Sequence, residues 1–267
     1  MNLNNDKLNI LLISPLPPPA GGIATWTETY LKSQQFKEHS VSVVNTSIVG
    51  YRMTNFNKIK IFDEIGRNIR IYNQVMDNMK KVRYDIVHFN TSCSKFGMIR
   101  DHFCLKKIKK FENKLILQCH CNIPQLINTR AKKFLFSRII KSADIIITLN
   151  TESNNYLEQQ FKKKGVVFAN FIDEGILPHE KSRIISEKIN NVIFVGHIEK
   201  MKGLLEIIDV AKLMPHICFR MLGSISEDFN LDSIPDYLTF TGEVTQEIDF
   251  NEMNNADIFL FPSHSEG

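Results

Sequence analysis

The chain has 267 residues, of which 43% are hydrophobic and 23% charged, so it can bury one large core or two ordinary ones and is neither disordered nor fibrous. No apolar run approaches the roughly 20 residues needed to span a bilayer, and the start is too polar for a signal peptide, so we expect a cytoplasmic protein. Its net charge of +4 conceals an asymmetry: residues 1–172 carry 26 Lys+Arg and 12 Asp+Glu, a net of +14, and the remainder carries 7 and 17, a net of −10. The two parts should therefore have different electrostatic partners.

The cysteines give little sign of a framework or of a metal site. They are Cys93, Cys104, Cys119, Cys121 and Cys218, an odd and scattered set that suits reduced thiols in the cytosol. In the "CHC" segment, strand alternation would place the two thiols on one face and His120 on the other, and no second ligand pair follows. We expect no metal.

Apolar runs of strand length alternate with helix-length segments along the first part of the chain. Strands are predicted at Asn9–Ile13, Val41–Val44, Asp85–Phe89, Leu115–Cys119, Ile145–Leu149 and Val166–Ala169, and helices at Arg67–Met79 and Glu152–Lys163. Strands that alternate with helices are parallel and joined by crossovers, so this pattern predicts a doubly wound sheet.

The pattern restarts after the stretch Asn170–Asn190, which contains Gly175, Pro178 and mixed charges and is interpreted as a linker. The second part is predicted to contain strands at 191–195, 217–222, 237–241 and 257–261 and helices at 204–214 and 247–254. We therefore expect two domains, 1–172 and 173–267, with a ligand cleft between them. The second ends on a strand with nothing to cover one face of a parallel sheet, so we expect it to be incomplete.

The segment "SPLPPPAGGIATWTETYL" follows the first strand. Gly21 and Gly22 permit close backbone approach or a positive φ, and a glycine turn before a helix presents N–H groups to an anion. A plain strand-to-helix turn is the alternative interpretation. The dinucleotide spacing G-x-G-x-x-G is absent, which weakens a dehydrogenase interpretation.

A second anion candidate is "FVGHIEKMKGLLEIIDVAKLMP". A strand ends at Val195, Gly196 begins a loop, and Lys202–Gly203 is predicted at the first turn of the next helix. Cations at a helix N-terminus oppose the helix dipole, so Lys200 and Lys202 are better explained by a bound phosphate than by stability. Solvated surface lysines are the alternative.

Two histidines and the last segment complete the candidates. His120 lies at the carboxyl end of a predicted strand, where a ring faces the ligand crevice of an open α/β sheet. His88, inside "YDIVHFN", is interpreted as a satisfied residue near the core. The final segment "ADIFLFPSHSEG" predicts a buried strand followed by a polar loop that ends at Glu266, again where such sheets place ligands.

Taken together, these segments resemble the family 4 retaining glycosyltransferases. The matching pieces occur in the family's order and cover nearly the whole chain: "PPPAGGIATWTETYL", "YDIVHFNTS", "LILQCHCN", "ADIIITLNTES", "VVFANFID", "VIFVGHIEKMKGLLEIIDVAKLMP", "RMLGS", "LTFTGEV" and "ADIFLFPSHSEG". The resemblance implies an α/β, GT-B-like fold of two Rossmann-like domains facing across a cleft, the second incomplete.

The resemblance also implies a set of site residues. The donor-binding residues would be Gly21, Gly22, Gly196, His197, Lys202 and Val244, and the catalytic residues His120, at the transferred sugar, and Glu266. Lys202 would bind the diphosphate, and the backbone around Val244 would meet the base. His197 replaces the family's usual arginine with a weaker cation. Glu266 resembles the first acid of the E-x7-E pair, whose second acid the sequence lacks, so we expect a C-terminally truncated chain.

The function implied is transfer of a sugar from a nucleotide-sugar donor to a lipid-linked or glycan acceptor, in capsule or lipopolysaccharide biosynthesis, without a metal or other cofactor. A non-catalytic remnant and a nucleotide-sugar epimerase of the same architecture are alternatives. Basic clusters at 80–83, 106–110, 130–141 and 162–164 suit an anionic membrane surface, so we expect peripheral attachment to the inner face of the cell membrane. Solvated helix faces are the alternative, and sparse aromatic interleaving argues against nucleic acid.

Overall fold

The computed structural model describes residues 7–18, 21–33, 38–48, 61–172, 187–225 and 235–264. The chain divides into two compact units, Met1–Ile172 and Asp173–Glu266. Most of the predicted linker, residues 173–186, lies outside the described residues.

The first unit is built on one parallel sheet. Its strands are β1 (Asn9–Ser14), β2 (Ser40–Asn45), β3 (Ile86–Thr91), β4 (Lys114–Cys119), β5 (Ile145–Thr148) and β6 (Val166–Val167). They run parallel in the order β2-β1-β3-β4-β5-β6. Leu11, Leu12 and Ile13 are fully buried, and because successive strand residues point to opposite faces, both faces of β1 are covered. The predicted doubly wound parallel sheet is confirmed.

The helices of the first unit differ from the predicted ones in the start of α2 and in three helices that were not predicted. They are α1 (Gly22–Lys32), α2 (Ile61–Lys81), α3 (Lys95–Ile108), α4 (Ile123–Leu126), α5 (Arg130–Ile140) and α6 (Thr151–Phe161). α2 begins at Ile61 instead of the predicted Arg67 and buries Ile71, Val75 and Met79 on one face. The helices that were not predicted are α3, α4 and α5.

The periodicity of α3 is masked by a buried ion pair. Arg100 and Asp101 are both buried, with Arg100 Nη2 2.7 Å from Asp101 Oδ1. Two charged side chains therefore interrupt the apolar stripe formed by Met98, Leu105 and Ile108. Helix prediction from hydrophobic period fails where polar groups are buried in pairs.

The second unit contains a smaller parallel sheet. Its strands are β7 (Asn191–Val195), β8 (Cys218–Leu222), β9 (Leu238–Gly242) and β10 (Ile258–Phe259), and its helices are α7 (Leu204–Leu213) and α8 (Gln246–Asn255). The order is β10-β7-β8-β9, with every pair parallel. Phe194 and Phe219 pack against Leu204, Ile207 and Ala211, which share one face of α7.

A strand is present within the predicted range 257–261, but the expectation that it is buried is wrong. β10 contains two residues, and Ile258, Phe259 and Phe261 are 38%, 49% and 38% exposed. β10 pairs with β7 on one side and has no strand described on the other, so its side chains gain less cover than those of β7. β6 is also shorter than predicted, and Val166 and Val167 are exposed.

Candidate active site

The start of α1 carries the first candidate motif. Gly21 is its N-cap with φ 170°, which is ordinary extended backbone, and Gly22 is the first helical residue, so of the two predicted uses of glycine, close backbone approach or a positive φ, the positive φ is not found. A Cβ placed on either glycine meets no described heavy atom within 4 Å, which leaves their backbone open to a ligand. The first turn of α1 has no acidic residue and, among described residues, no side-chain cap, so its N–H groups favour an anion.

A chain of hydroxyl hydrogen bonds fixes α1 to the strand ends. Asn90 Nδ2 donates to Ser14 Oγ over 2.9 Å, Ser14 Oγ lies 2.5 Å from Thr27 Oγ1, and Thr27 Oγ1 donates to the Ile23 carbonyl over 2.8 Å. Since the Thr27 proton is used on Ile23, Ser14 donates to Thr27 and accepts from Asn90. This assignment orients the Asn90 amide, whose Oδ1 is buried and has no partner in the described part of the chain.

His88 is a satisfied residue in the core, as interpreted from the sequence. It is 4% exposed, its Nε2 lies 3.0 Å from Gln118 Oε1, and its Nδ1 lies 3.3 Å from the Tyr30 hydroxyl. Burial lowers the pKa of His88 to about 4, although the Gln118 hydrogen bond opposes this, so the ring is neutral at pH 7. A neutral ring donates from Nε2 to Gln118 and accepts the Tyr30 proton at Nδ1.

His120 has a different environment at the end of β4. Its backbone N–H donates to the Thr91 carbonyl over 2.9 Å, and its ring meets Trp26 edge-on at a centroid distance of 5.0 Å. The ring is partly exposed, yet its Nε2 has no hydrogen-bond partner among the described residues. Burial, and secondarily the nearby His88, lower the pKa of His120 to about 4, so this ring is also neutral at pH 7.

A cavity of about 500 Å³ lies at the carboxyl ends of β1, β2 and β3. Gly21 and Gly22 line it together with Asn90, and His120 does not. Its cationic lining residues, Arg67, Lys95 and Arg100, were missed by sequence reasoning. Lys95 is the first residue of α3 and directly follows the loop after β3. A cation at a helix N-terminus opposes the helix dipole, so Lys95 would have been an anion-binding candidate, like Lys202, if α3 had been predicted.

In the second unit, the loops after β7 and β8 cross closely. Gly196 has φ 151° and Gly223 has φ 136°, and a Cβ on Gly223 would collide with the Gly196 carbonyl. His197, which follows Gly196, has its Nδ1 2.6 Å from the Oγ of Ser224, which follows Gly223. Glycine at both positions thus lets the two loops meet, and the hydrogen bond fixes the His197 ring at the end of the sheet.

Lys202 lies just before α7 and not in its first turn. Residues Lys200–Lys202 form a single 3-10 turn, and Gly203, with φ 82°, separates it from the helix. Lys202 is therefore outside the predicted first helical turn, because the left-handed Gly203 ends the 3-10 turn before α7 begins. Lys202 Nζ lies 5.7 Å from the centroid of Phe261, a cation–π distance, so the ammonium group sits beside the loop after β10.

The loop after β10 is attached to the start of α7. His264 N donates to the Met201 carbonyl over 3.0 Å, and His264 Nε2 lies 2.8 Å from Glu206 Oε1. The Glu206 pKa is lowered by its own backbone N–H and, less strongly, by His264. No local sequence pattern predicts this contact, because 58 residues separate the two side chains.

The remaining two site predictions have different outcomes. Val244 follows β9 and is half-buried against Ile193 and Leu222, so its side chain is used in packing and its backbone remains the proposed contact. Glu266 lies outside the described residues.

The cysteines of the "CHC" segment form a buried thiol cluster with Cys93. A hydrogen bond with Cys119 raises the pKa of the Cys93 thiol, Cys121 opposes this, and burial raises it further, so the thiol stays protonated. Over the described ranges, no group of three His, Cys, Asp or Glu side chains is arranged to hold a metal ion. Within the same ranges, no helix combines the length and apolar character needed to cross a bilayer.

Comparison with known proteins places this geometry in a known fold. A sucrose-phosphate synthase from Thermosynechococcus elongatus superposes with a TM-score of 0.74 at 13% identity, covering 97% of this chain and 76% of that one. The chain has the GT-B glycosyltransferase fold. No protein-family model matches it.

Two relatives are detected from sequence. An uncharacterised 41.2 kDa protein from the cps region of Klebsiella pneumoniae is 26% identical over 272 residues, 92% of this chain and 72% of the relative. A processive diacylglycerol alpha-glucosyltransferase from Acholeplasma laidlawii is 26% identical over 217 residues, 70% of this chain and 61% of that protein. The GT-B chain thus spans less than two thirds of the second relative.

Proposed function

We propose that the protein is a family 4 retaining glycosyltransferase that moves a sugar from a nucleotide-sugar donor to an acceptor in surface polysaccharide or lipid-linked glycan biosynthesis. The observation that carries this proposal is the turn at Lys200–Lys202 in the second unit, which places Lys202 two residues before α7, a helix whose N-cap makes no side-chain hydrogen bond among the described residues. The glucosyltransferase relative and the relative from a cps region support the reaction and the pathway class.

The proposed chemistry uses the turn where charge develops. When the bond between the sugar and a nucleoside diphosphate breaks, negative charge grows on the leaving phosphate. N–H groups at the start of α7 and the Lys202 ammonium would stabilise that charge most strongly in the transition state. Gly196 and His197 would border the same phosphate, and the backbone near Val244 would contact the base. We propose that no metal is needed, since the lysine and the helix N-terminus supply the positive potential.

His120 is proposed to contact the transferred sugar. Because its pKa is lowered to about 4, it is a neutral hydrogen-bonding group near pH 7 and not a cation. Its unpartnered Nε2 would gain a sugar hydroxyl as a partner, which costs no existing hydrogen bond. Glu266 keeps the role implied by the family resemblance, as the first acid near the donor sugar.

Attachment to an anionic membrane on the cytoplasmic side is proposed from the basic first unit. Large apolar side chains of its helices are exposed there, including Phe62 at 86%, Phe103 at 57% and Phe134 at 63%. The basic clusters fall largely at helix C-termini: Lys80 and Lys81 end α2, and lysines at 106–107 end α3. Complementing helix dipoles therefore explains part of their placement, and membrane attraction would add to it.

The test is a panel of nucleotide sugars, each incubated with the protein in the presence and absence of a membrane lipid extract. With one of the donors, a glycosyltransferase transfers the sugar to the lipid extract and releases free nucleotide. This release depends on the presence of the extract. An epimerase of the same architecture would change the sugar without an acceptor and leave the nucleotide attached. Failure to release nucleotide from every donor would overturn the proposal.

A further inference from the structure

The polar cavity of the first unit adjoins an apolar groove. The groove, of about 320 Å³, is formed by α2 and α3 and is lined by Ile65, Ile69, Ile99 and Phe103. Arg100 lines both the groove and the cavity of about 500 Å³ that contains Gly21 and Asn90. A ligand that fills both therefore needs a polar, hydroxyl-bearing end and an apolar end.

The cavity is suited to an anion. The N-termini of α1 and α3 both border it, and within the described residues neither has a side-chain cap or an acidic residue in its first turn. Lys95, at the first position of α3, is exposed and opposes that helix dipole unless an anion is bound. The charges of Arg67 and Arg100 are balanced by Glu64, at 3.2 Å, and Asp101, at 2.7 Å, so Lys95 supplies the net charge.

A second observation points to a ligand in the same cavity. Asn90 is 2% exposed and lines the cavity, and its Oδ1 has no partner among the described residues. Its orientation follows from the hydrogen bond that its Nδ2 donates to Ser14. Burying a carbonyl oxygen without a hydrogen-bond partner destabilises the protein, and a ligand hydroxyl that donates to this oxygen would remove that penalty.

The groove is exposed although its lining is apolar. Ile65, Ile69, Ile99 and Phe103 are 47%, 56%, 46% and 57% exposed. Four large apolar side chains in one groove form a continuous patch, unlike single exposed residues, and such patches mark binding sites. The groove and the anion-binding cavity meet at Arg100, so the continuity favours one amphiphilic molecule over two separate ligands.

We propose that the acceptor is a lipid phosphate. Its phosphate binds Lys95 and the N–H groups of the two helix termini, a hydroxyl next to the phosphate donates to Asn90 Oδ1, and the hydrocarbon lies in the groove beside Phe103. This inference rests on the proposed function, because a lipid phosphate bound here is an acceptor only if the protein is a glycosyltransferase. The site shares Gly21 and Gly22 with the donor-binding residues that the family resemblance implies, whereas Lys95, Asn90 and Phe103 have no assigned part in donor binding.

The experiment measures binding of three soluble probes to the intact chain by calorimetry: decyl phosphate, decanol and inorganic phosphate. We expect decyl phosphate to bind at least about tenfold more tightly than either partial probe, because it gains both the charged and the apolar contacts. Lys95→Gln should weaken decyl phosphate and phosphate by about tenfold, the value of one charge-assisted hydrogen bond. Phe103→Ser should weaken decyl phosphate and decanol only.

Two control variants match these changes away from the site. Lys132→Gln removes a partly exposed lysine from α5, and Phe134→Ser removes an exposed phenylalanine from the same helix; neither residue lines the groove or the cavity. Equal binding of the three probes, or equal effects of the control variants, would overturn the lipid phosphate site. The probes contain no nucleotide, so the expected order of probe affinities can be found even if no donor releases nucleotide. Conversely, absence of that order does not change the result of the donor assay.

Discussion

Gly203 lies directly against Pro262: a Cβ on Gly203 would come within 2.6 Å of Pro262 Cγ. The contact joins the turn before α7 to the loop after β10, two segments that sequence reasoning had assigned separately to the donor site. Glycine is required here twice, for its φ of 82° and for the missing side chain.

The variant Gly203→Ala should lower the free energy of unfolding by about 2–4 kcal/mol, because it adds a left-handed non-glycine residue and a collision with Pro262. Urea unfolding of the purified protein measures this. Gly66→Ala is the matched control: Gly66 lies within α2 with no described atom within 4 Å of a Cβ, so alanine should stabilise by about 0.5–1 kcal/mol. Equal effects of the two variants would contradict the contact.

Lys202→Gln should lower the rate of sugar transfer by about 10²–10³-fold, the usual cost of one group that stabilises developing charge. The effect should be on kcat more than on KM if the lysine acts mainly in the transition state. Lys212→Gln, an exposed lysine in the last turn of the same helix, is the control and should leave the rate unchanged. A rate for the Lys202 variant within about twofold of the control would refute the role.

His120→Ala should reduce transfer by about 10²-fold or more while changing stability little, because Nε2 has no hydrogen bond among the described residues to lose. His216→Ala changes an exposed histidine of the second unit and serves as the control. Transfer rates and urea midpoints of both variants should be measured together. Loss of activity accompanied by an equal loss of stability would indicate a structural role for His120.

Acid should destabilise the first unit through its buried histidines. The folded-state pKa of His88 is about 4, below the value of about 6.5 for an unfolded histidine, so the unfolded state binds more protons as the pH falls. This contribution to the free energy of unfolding is fully present above about pH 6.5 and is lost progressively toward about pH 4, by about 3 kcal/mol for His88. The pKa of His120 is lowered too, so its protonation also reduces stability over this range.

Urea unfolding at a series of pH values measures this loss. The variant His88→Asn removes one titrating ring, so its stability should fall less steeply between about pH 6.5 and about pH 4 than that of the parent protein. His216→Asn, at an exposed position, should leave the slope unchanged. An unaltered slope in the His88 variant would show that this ring does not titrate in that range.

The sheets were predictable because their strands are apolar on both faces. β1 and β7 each read as continuous apolar runs, and both were found at the predicted residues to within one position. α3 was not predictable by hydrophobic period, because Arg100 and Asp101 are buried as a pair within its core face. The burial of β10 was wrongly predicted for the opposite reason: its residues are apolar and yet exposed.

The candidate site was predictable only in part. Glycines, a lysine and a histidine at strand ends can be read from sequence because backbone geometry and charge select them. The Asn90–Ser14–Thr27 hydrogen bonds and the contact of His264 with Glu206 join residues distant in the chain, and no local pattern marks them. The lysine at the start of α3 was missed because its helix was missed.

A retaining glycosyltransferase and an inverting one differ in the anomeric configuration of the product, so this configuration decides whether sugar transfer from the nucleotide donor is retaining. The protein is incubated with a nucleotide sugar of known anomeric configuration and lipid extract, and the purified glycolipid is examined by NMR. We expect a product with the same configuration as the donor, formed at a rate that depends on Lys202 and His120. A product of inverted configuration, or transfer unaffected by both substitutions, would contradict it.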